Sequence, residues 1–155
     1  MLATTCAVAL AATLARVTPS GVGAVKLGRT YQALRGAGVL GKVRPGCELA
    51  GPRTRSASLR APLRGSVDLT LGAPRKVARI VVNRGAAARG VGIGATPAAI
   101  KAAFPTVVFD TSTEETFQIT LARVPKRGGG PLEFAVSTHT RKVMLIGVPS
   151  IGFCE

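Results

Sequence analysis

Apolar and polar positions follow two rhythms along this chain, and each rhythm occurs twice. The first is helical. Ala33, Leu34 and Ala37 place apolar side chains at i, i+1 and i+4, and Ala99, Ile100 and Ala103 repeat that spacing 66 residues later. Thr30 and Thr96 stand where a helix N-cap is wanted, since a threonine hydroxyl can accept from the backbone amides two or three residues on. Pro97 suits the first helical position, where its missing N–H would have had no partner. Helices are therefore predicted over Tyr31–Gly36 and Pro97–Phe104, stopped by Gly36 and Gly38 in one case and by Pro105 in the other. Both are short and must pack on something else to persist.

The second rhythm has period two. Val67, Leu69 and Leu71 alternate with polar neighbours, Gly72-Ala73-Pro74 turns, and Val77 to Val82 is an apolar run, which together predict a hairpin. Later, Phe117, Ile119 and Leu121 alternate and Lys126 to Gly130 reads as a loop. Leu132, Phe134 and Val136 then pair through Thr138 to Arg141 with Val143 to Val148. Arg53 to Arg64 supplies a further strand, which Pro62 restricts to an edge. Val39 to Pro52, broken by Gly41, Pro45-Gly46 and Gly51-Pro52, reads as loop.

One offset relates these patterns. Val91-x-Ile93-Gly94-x-Thr96 falls on Val25-x-Leu27-Gly28-x-Thr30, and Arg141-Lys142-Val143-x-x-Ile146 falls on Arg75-Lys76-Val77-x-x-Ile80, both at 66 residues. The expected fold is α+β: two tandem repeats of about 66 residues, each a short helix followed by an antiparallel sheet. The first unit occupies residues 16–86 and the second 87–155.

With 46% hydrophobic and 18% charged residues the chain is globular rather than disordered. Five Phe, one Tyr and no Trp leave Val, Ile, Leu and Ala to build the core. Residues 1–15, MLATTCAVALAATLA, carry no charge and read as the apolar part of a signal peptide, with Ala9-Leu10-Ala11 or Thr13-Leu14-Ala15 as the cleavage site. The stretch is too short to span a bilayer, so no transmembrane span is expected after cleavage. A buried N-terminal helix is the alternative. Ala3-Thr4-Thr5 lacks the pattern that would make Cys6 a lipidation site. In a secreted or envelope-associated protein the remaining pair, Cys47 and Cys154, is expected to form a disulfide. Closing that long loop would stabilise the fold by roughly 4 to 5 kcal/mol in the chain-entropy account. The alternative is two buried thiols that never meet.

A Leu-Gly-x-Thr turn into a short helix, then an antiparallel sheet, repeated in tandem in an exported chain, resembles the beta-lactamase-inhibitor-protein (BLIP)-like fold. The small outer-membrane assembly lipoproteins share its single unit. The resemblance covers both units and implies a concave sheet that grips partner proteins.

Candidate chemistry changes this picture little. His139, the one histidine, sits in a Ser137-to-Thr140 turn without other metal-ligand types beside it. Glu114 and Glu115 open an alternating strand and should point to opposite faces, which argues against a shared acid site. Gly90-x-Gly92-x-Gly94 lacks the strand that a dinucleotide loop requires directly before it, and reads as a structural turn. No catalytic residue, metal site or cofactor is predicted.

Charge is more informative. The net value is +14, of which residues 16–86 carry +12 and residues 87–155 carry +2. Arg53, Arg55, Arg60 and Arg64 precede the first hairpin and Arg75-Lys76 lie at its turn, making them the candidate anion- or partner-binding residues. The bland alternative is a solvated basic surface. The expected function is an exported, non-enzymatic binding protein that engages a protein partner or an anionic cell-envelope polymer. The alternatives are a structural envelope component without a discrete ligand, or a secreted enzyme inhibitor. Nucleic acid is disfavoured by the export signal and by the missing stacking aromatics.

Overall fold

The structure, a computed structural model, describes residues 13–153. Its first half begins with three short strands, β1 (Ala15–Thr18), β2 (Gly21–Val22) and β3 (Val25–Lys26), which lead into helix α1 (Tyr31–Gly36). Four longer strands follow: β4 (Leu40–Pro45), β5 (Arg55–Leu59), β6 (Arg64–Leu69) and β7 (Val77–Arg84). The second half runs β8 (Ala86–Ala88), β9 (Val91–Gly92), helix α2 (Pro97–Ala103), β10 (Val108–Asp110), helix α3 (Glu114–Phe117), β11 (Ile119–Val124), β12 (Leu132–Ser137) and β13 (Val143–Val148). This is an α+β chain with two sheets.

The larger sheet is antiparallel throughout, in the order β10-β11-β12-β13-β7-β6-β5-β4. Its two halves join where β7 meets β13, with Val81 opposite Gly147 between the pairs Ile80–Val148 and Val82–Ile146. The smaller sheet, β3-β2-β1-β8-β9, also bridges the halves, through the parallel pair β1–β8.

The two helix entries are built alike. Gly28 and Gly94 hold φ of +78° and +87°, a region open to glycine, and each donates its N–H across 2.8 Å, to the Val77 and Val143 carbonyls respectively. The Thr30 hydroxyl accepts from the Ala33 amide at 3.3 Å and the Thr96 hydroxyl from Ala99 at 3.2 Å. Both helix spans follow the sequence closely, because their caps are local. The apolar faces are narrower than their spacing suggests. Leu34 and Ile100 are buried, whereas Ala33, Ala37 and Ala99 are exposed, so each helix has one fully buried anchor, joined by the partly buried Tyr31 in α1 and Ala103 in α2.

The main core lies between the helices and one face of the large sheet, where Val67, Ile80, Val82, Phe134, Ile146 and Val148 are buried. A second cluster of Ile119, Leu121, Ala135 and Ile151 occupies the other face, with Phe117, Leu145 and Phe153 packed on it. Along β11 the alternation read at Ile119 and Leu121 thus marks the second cluster, while Ala122 and Val124 face the main core.

Three expectations are corrected. Val39 to Pro52 is not a loop, since it contains β4 and a one-turn 3-10 helix, Glu48–Ala50. Gly41 there serves close strand approach rather than a break: a Cβ would fall 2.5 Å from the Ser58 Oγ. The strand expected within Arg53 to Arg64 is β5, and Pro62 lies in the turn after it, so β5 is internal and β4 forms the edge. Phe117 ends α3 instead of opening β11. Gln118, at φ +55°, turns the chain between them, and Glu114 and Glu115 sit on that helical turn rather than a strand.

Candidate partner-binding face

The outer face of the large sheet, turned away from the helices, is treated differently in the two halves. In the second half, Leu121, Ala135 and Leu145 stand side by side across β11, β12 and β13. The chain covers this row with its own C-terminal segment. Ile151 is buried against Leu121 and Ala135, and the Phe153 ring stacks on Phe117 with centroids 4.6 Å apart. A charged network fixes the segment in place. Arg123 pairs with Asp110 at 2.8 Å and with Glu133 at 3.2 Å, and the other Glu133 oxygen accepts the Ile151 amide at 2.7 Å. Hydrogen bonds from Ser112, its side chain first and then its backbone N–H, hold the Asp110 carboxyl below the ordinary carboxylate range, with Arg123 adding to the effect against partial burial.

In the first half, the corresponding row across β5, β6 and β7 is Ser56, Asp68 and Arg79. It is polar, and among the described residues the C-terminal segment reaches it only at its end, where Gly152 packs beside Arg79. Arg79 donates to Asp68 at 3.2 Å and both side chains stay partly open to water. The result is a hollow of about 950 Å³. Ser56, Ser66, Asp68, Arg79 and Val81 make its floor, Pro45 to Ala50 with Thr54 and Arg55 make one wall, and Leu145, Gly152 and Phe153 contribute to the other. Gly152 packs against Arg79 there: a Cβ would stand 1.9 Å from the Arg79 Nη1, so the guanidinium would have to shift to admit one.

Cys47 lies on the rim of this hollow and is not a free thiol. Cys154 and most of the expected signal peptide fall outside the described residues. Ala15 is the first residue of β1 and donates its N–H to the Gly85 carbonyl at 2.8 Å.

The candidate arginines do not form one cluster. Arg53 is exposed and does not line the hollow, whereas Arg55 lines it and is tied down, donating to the Pro52 and Thr54 carbonyls at 3.0 and 2.8 Å. Arg75 and Lys76 lie toward the same end of the sheet, at the β6–β7 turn, where the Lys76 amide donates to the Thr70 hydroxyl at 2.9 Å. The Arg75 Nη1 is buried without a hydrogen bond among the described residues. Arg60 and Arg64 are exposed at the opposite end, where Arg64 faces Arg84 across β6 and β7. Sequence proximity misled because β5, at about 3.3 Å per residue, carries the chain from one end of the sheet to the other. The residues that reasoning on sequence missed are Ser56, Ser66, Asp68 and Arg79, polar members of the three strands β5, β6 and β7. The signal for them was the alternation itself, whose polar phase marks the open face.

His139 is exposed in the β12–β13 turn. Among the described residues no helix is long and apolar enough to cross a membrane. No protein-family model matches the chain, and neither a curated protein nor a solved structure matches it.

Proposed function

We propose that this is an exported binding protein that holds an exposed segment of a protein partner in the hollow over β5, β6 and β7. One observation carries the reading. Where the second half presents Leu121 and Ala135 and covers them with Ile151, with Leu145 at the edge of that cover, the first half presents Ser56, Asp68 and Arg79, which among the described residues stay partly open. A face that can take a covering strand of chain, and has none of its own among the described residues, suits a segment from another molecule. Its floor offers a carboxylate, a guanidinium and hydroxyls beside the apolar Val81 and Leu145, which fits a partner segment of mixed polar and apolar character and a reversible complex. Export rests on the apolar residues 1–15 and on a Cys47–Cys154 disulfide that would secure the wall of the hollow. Cleavage after Ala11 leaves the Ala15–Gly85 hydrogen bond intact, whereas cleavage after Ala15 would remove it. The tandem arrangement and the BLIP-like resemblance belong to the same proposal, supported by the like order of elements in the two halves.

The test is a pull-down from envelope extract with the mature protein and with Ser66→Trp, which fills the floor from an exposed position, at low and high salt. Binding that Ser66→Trp abolishes and salt leaves intact supports the hollow. Binding that survives Ser66→Trp but disappears at high salt would favour the second reading, an anionic polymer held by the basic surface.

A further inference from the structure

A separate, smaller hollow of about 180 Å³ opens between β1 and the second half of the chain. Arg16, Thr18, Arg89, Phe104 and Gly129 contribute to its lining, and no acidic residue does. Arg89 holds φ at +48°, a left-handed conformation that side chains larger than glycine adopt reluctantly. The residue 66 positions earlier is Gly23, at φ +53°. The turn therefore suits glycine, yet in the second half it carries an arginine.

That arginine is held on three sides. Its guanidinium carbon lies 4.9 Å from the Phe104 ring centroid, and its Nη1 donates to the Ala103 carbonyl at 3.3 Å. Gly129 gives it room, for a Cβ there would stand 2.5 Å from the Arg89 Nη2. A side chain fixed in this way has already lost the rotamer freedom that binding would otherwise remove. Among the described residues Arg16 and Arg89 make no ion pair with any acid.

We propose that Arg16 and Arg89 together bind a dianionic phosphoryl group, either inorganic phosphate or a phosphate monoester. Two guanidiniums bring two positive charges, which a phosphoryl group of about −1.5 to −2 at neutral pH balances. A carboxylate would leave one of them uncompensated. The guanidinium fork also offers paired N–H donors in the geometry that phosphate oxygens accept. This site is distinct from the hollow of the outer face and stands whether or not that hollow binds a protein.

Titration with inorganic phosphate against sodium chloride at matched ionic strength, followed by backbone amide NMR shifts, decides it. Saturable shifts are expected at residues 16–18, 89 and 129. Arg89→Gly, which the turn accommodates, and Arg16→Gln should each weaken phosphate about tenfold or more, the loss expected for a charge-assisted hydrogen bond. Arg53→Gln, at an exposed position outside this hollow, should leave the affinity unchanged. Shifts no larger than those with chloride, or an equal loss in Arg53→Gln, would overturn the proposal. If Arg89→Gly fails to fold, Arg16→Gln carries the decision alone. Sedimentation with phosphatidylcholine vesicles, with and without phosphatidic acid, separates the two sources. Pelleting that requires phosphatidic acid and Arg89 places the monoester on a lipid head group, while phosphate binding without pelleting places it in solution.

Discussion

Leu34 and Ile100 are each the one buried side chain of a short helix, so at the residue scale they carry what repeated patterns of alanine do not. Replacing either by Ala should reduce stability by about 2 to 5 kcal/mol, with a cavity left behind. Ala33→Ser and Ala99→Ser, at exposed positions, should stay within about 0.5 kcal/mol. Urea unfolding of the four variants measures both. Asp110 supplies a pH signature. Its folded carboxyl is held below the ordinary value by Ser112, so the charged form is favoured in the native state. Its contribution to stability is present above the unfolded pKa of about 3.9 and is lost as pH falls through the lower, folded pKa. Asp110→Asn should therefore be less stable than wild type at neutral pH, and the gap should close as the solution is acidified below about pH 4. A gap that persists to the lowest pH would show that the carboxylate charge is not its cause.

At the scale of elements, the C-terminal segment matters most. It lies flat on Leu121 and Ala135, and Glu133 ties down its Ile151 amide. If Cys47 and Cys154 are joined, Cys47→Ser should free the far end. Hydrogen exchange should then quicken at residues 151–153, and a hydrophobic dye should bind as Leu121 and Ala135 become exposed. Amides of β5 and β6 should be little affected. Unchanged exchange in the segment would mean that Glu133 and Ile151 hold it unaided. This is also where reading the sequence reached its limit. Helix starts at Thr30 and Thr96, and the pairing of β6 with β7 and of β12 with β13, were legible because caps and hairpins are local. The roles of Ile119 and Leu121 were not. Their cover, Ile151, comes from a distant part of the chain, and alternation shows that faces differ without saying which one a later segment will bury. The edge strand β4 escaped for a related reason: its glycine and proline read as breaks, whereas Gly41 gives Ser58 room to approach.

For the whole molecule, charge is spread rather than gathered. Arg55 lines the hollow with Arg53 exposed two residues before it, and Arg60 and Arg64 occupy the other end of the sheet. An anionic polymer long enough to touch both should bind less tightly after either double replacement by Gln, and the two losses should add, because the sites are far apart. Binding measured at about 0.01 and 0.1 M salt should fall steeply, as screening shortens from about 30 to about 10 Å. Replacing Lys126, Arg127, Arg141 and Lys142 should matter less. Equal losses from every set would reduce the attraction to net charge alone. Thermal stability should hardly move in any of them, since exposed charges contribute little to folding.

The seam between β7 and β13 maps onto itself. Ile80, Val81 and Val82 meet Val148, Gly147 and Ile146, and each of the three first-half positions has its 66-residue counterpart in the facing triplet. Exchanging the two strands leaves the register unchanged. Such a seam does not record which molecule owns its strands: the second half of one chain can close on the first half of another with the same hydrogen bonds, and only Gly85, between β7 and β8, has to serve as the hinge. Refolding at high concentration should therefore yield some dimers with interchanged halves alongside monomers. Light scattering after size-exclusion chromatography would detect them, and a peak that grows with refolding concentration but not with storage would identify exchange during folding.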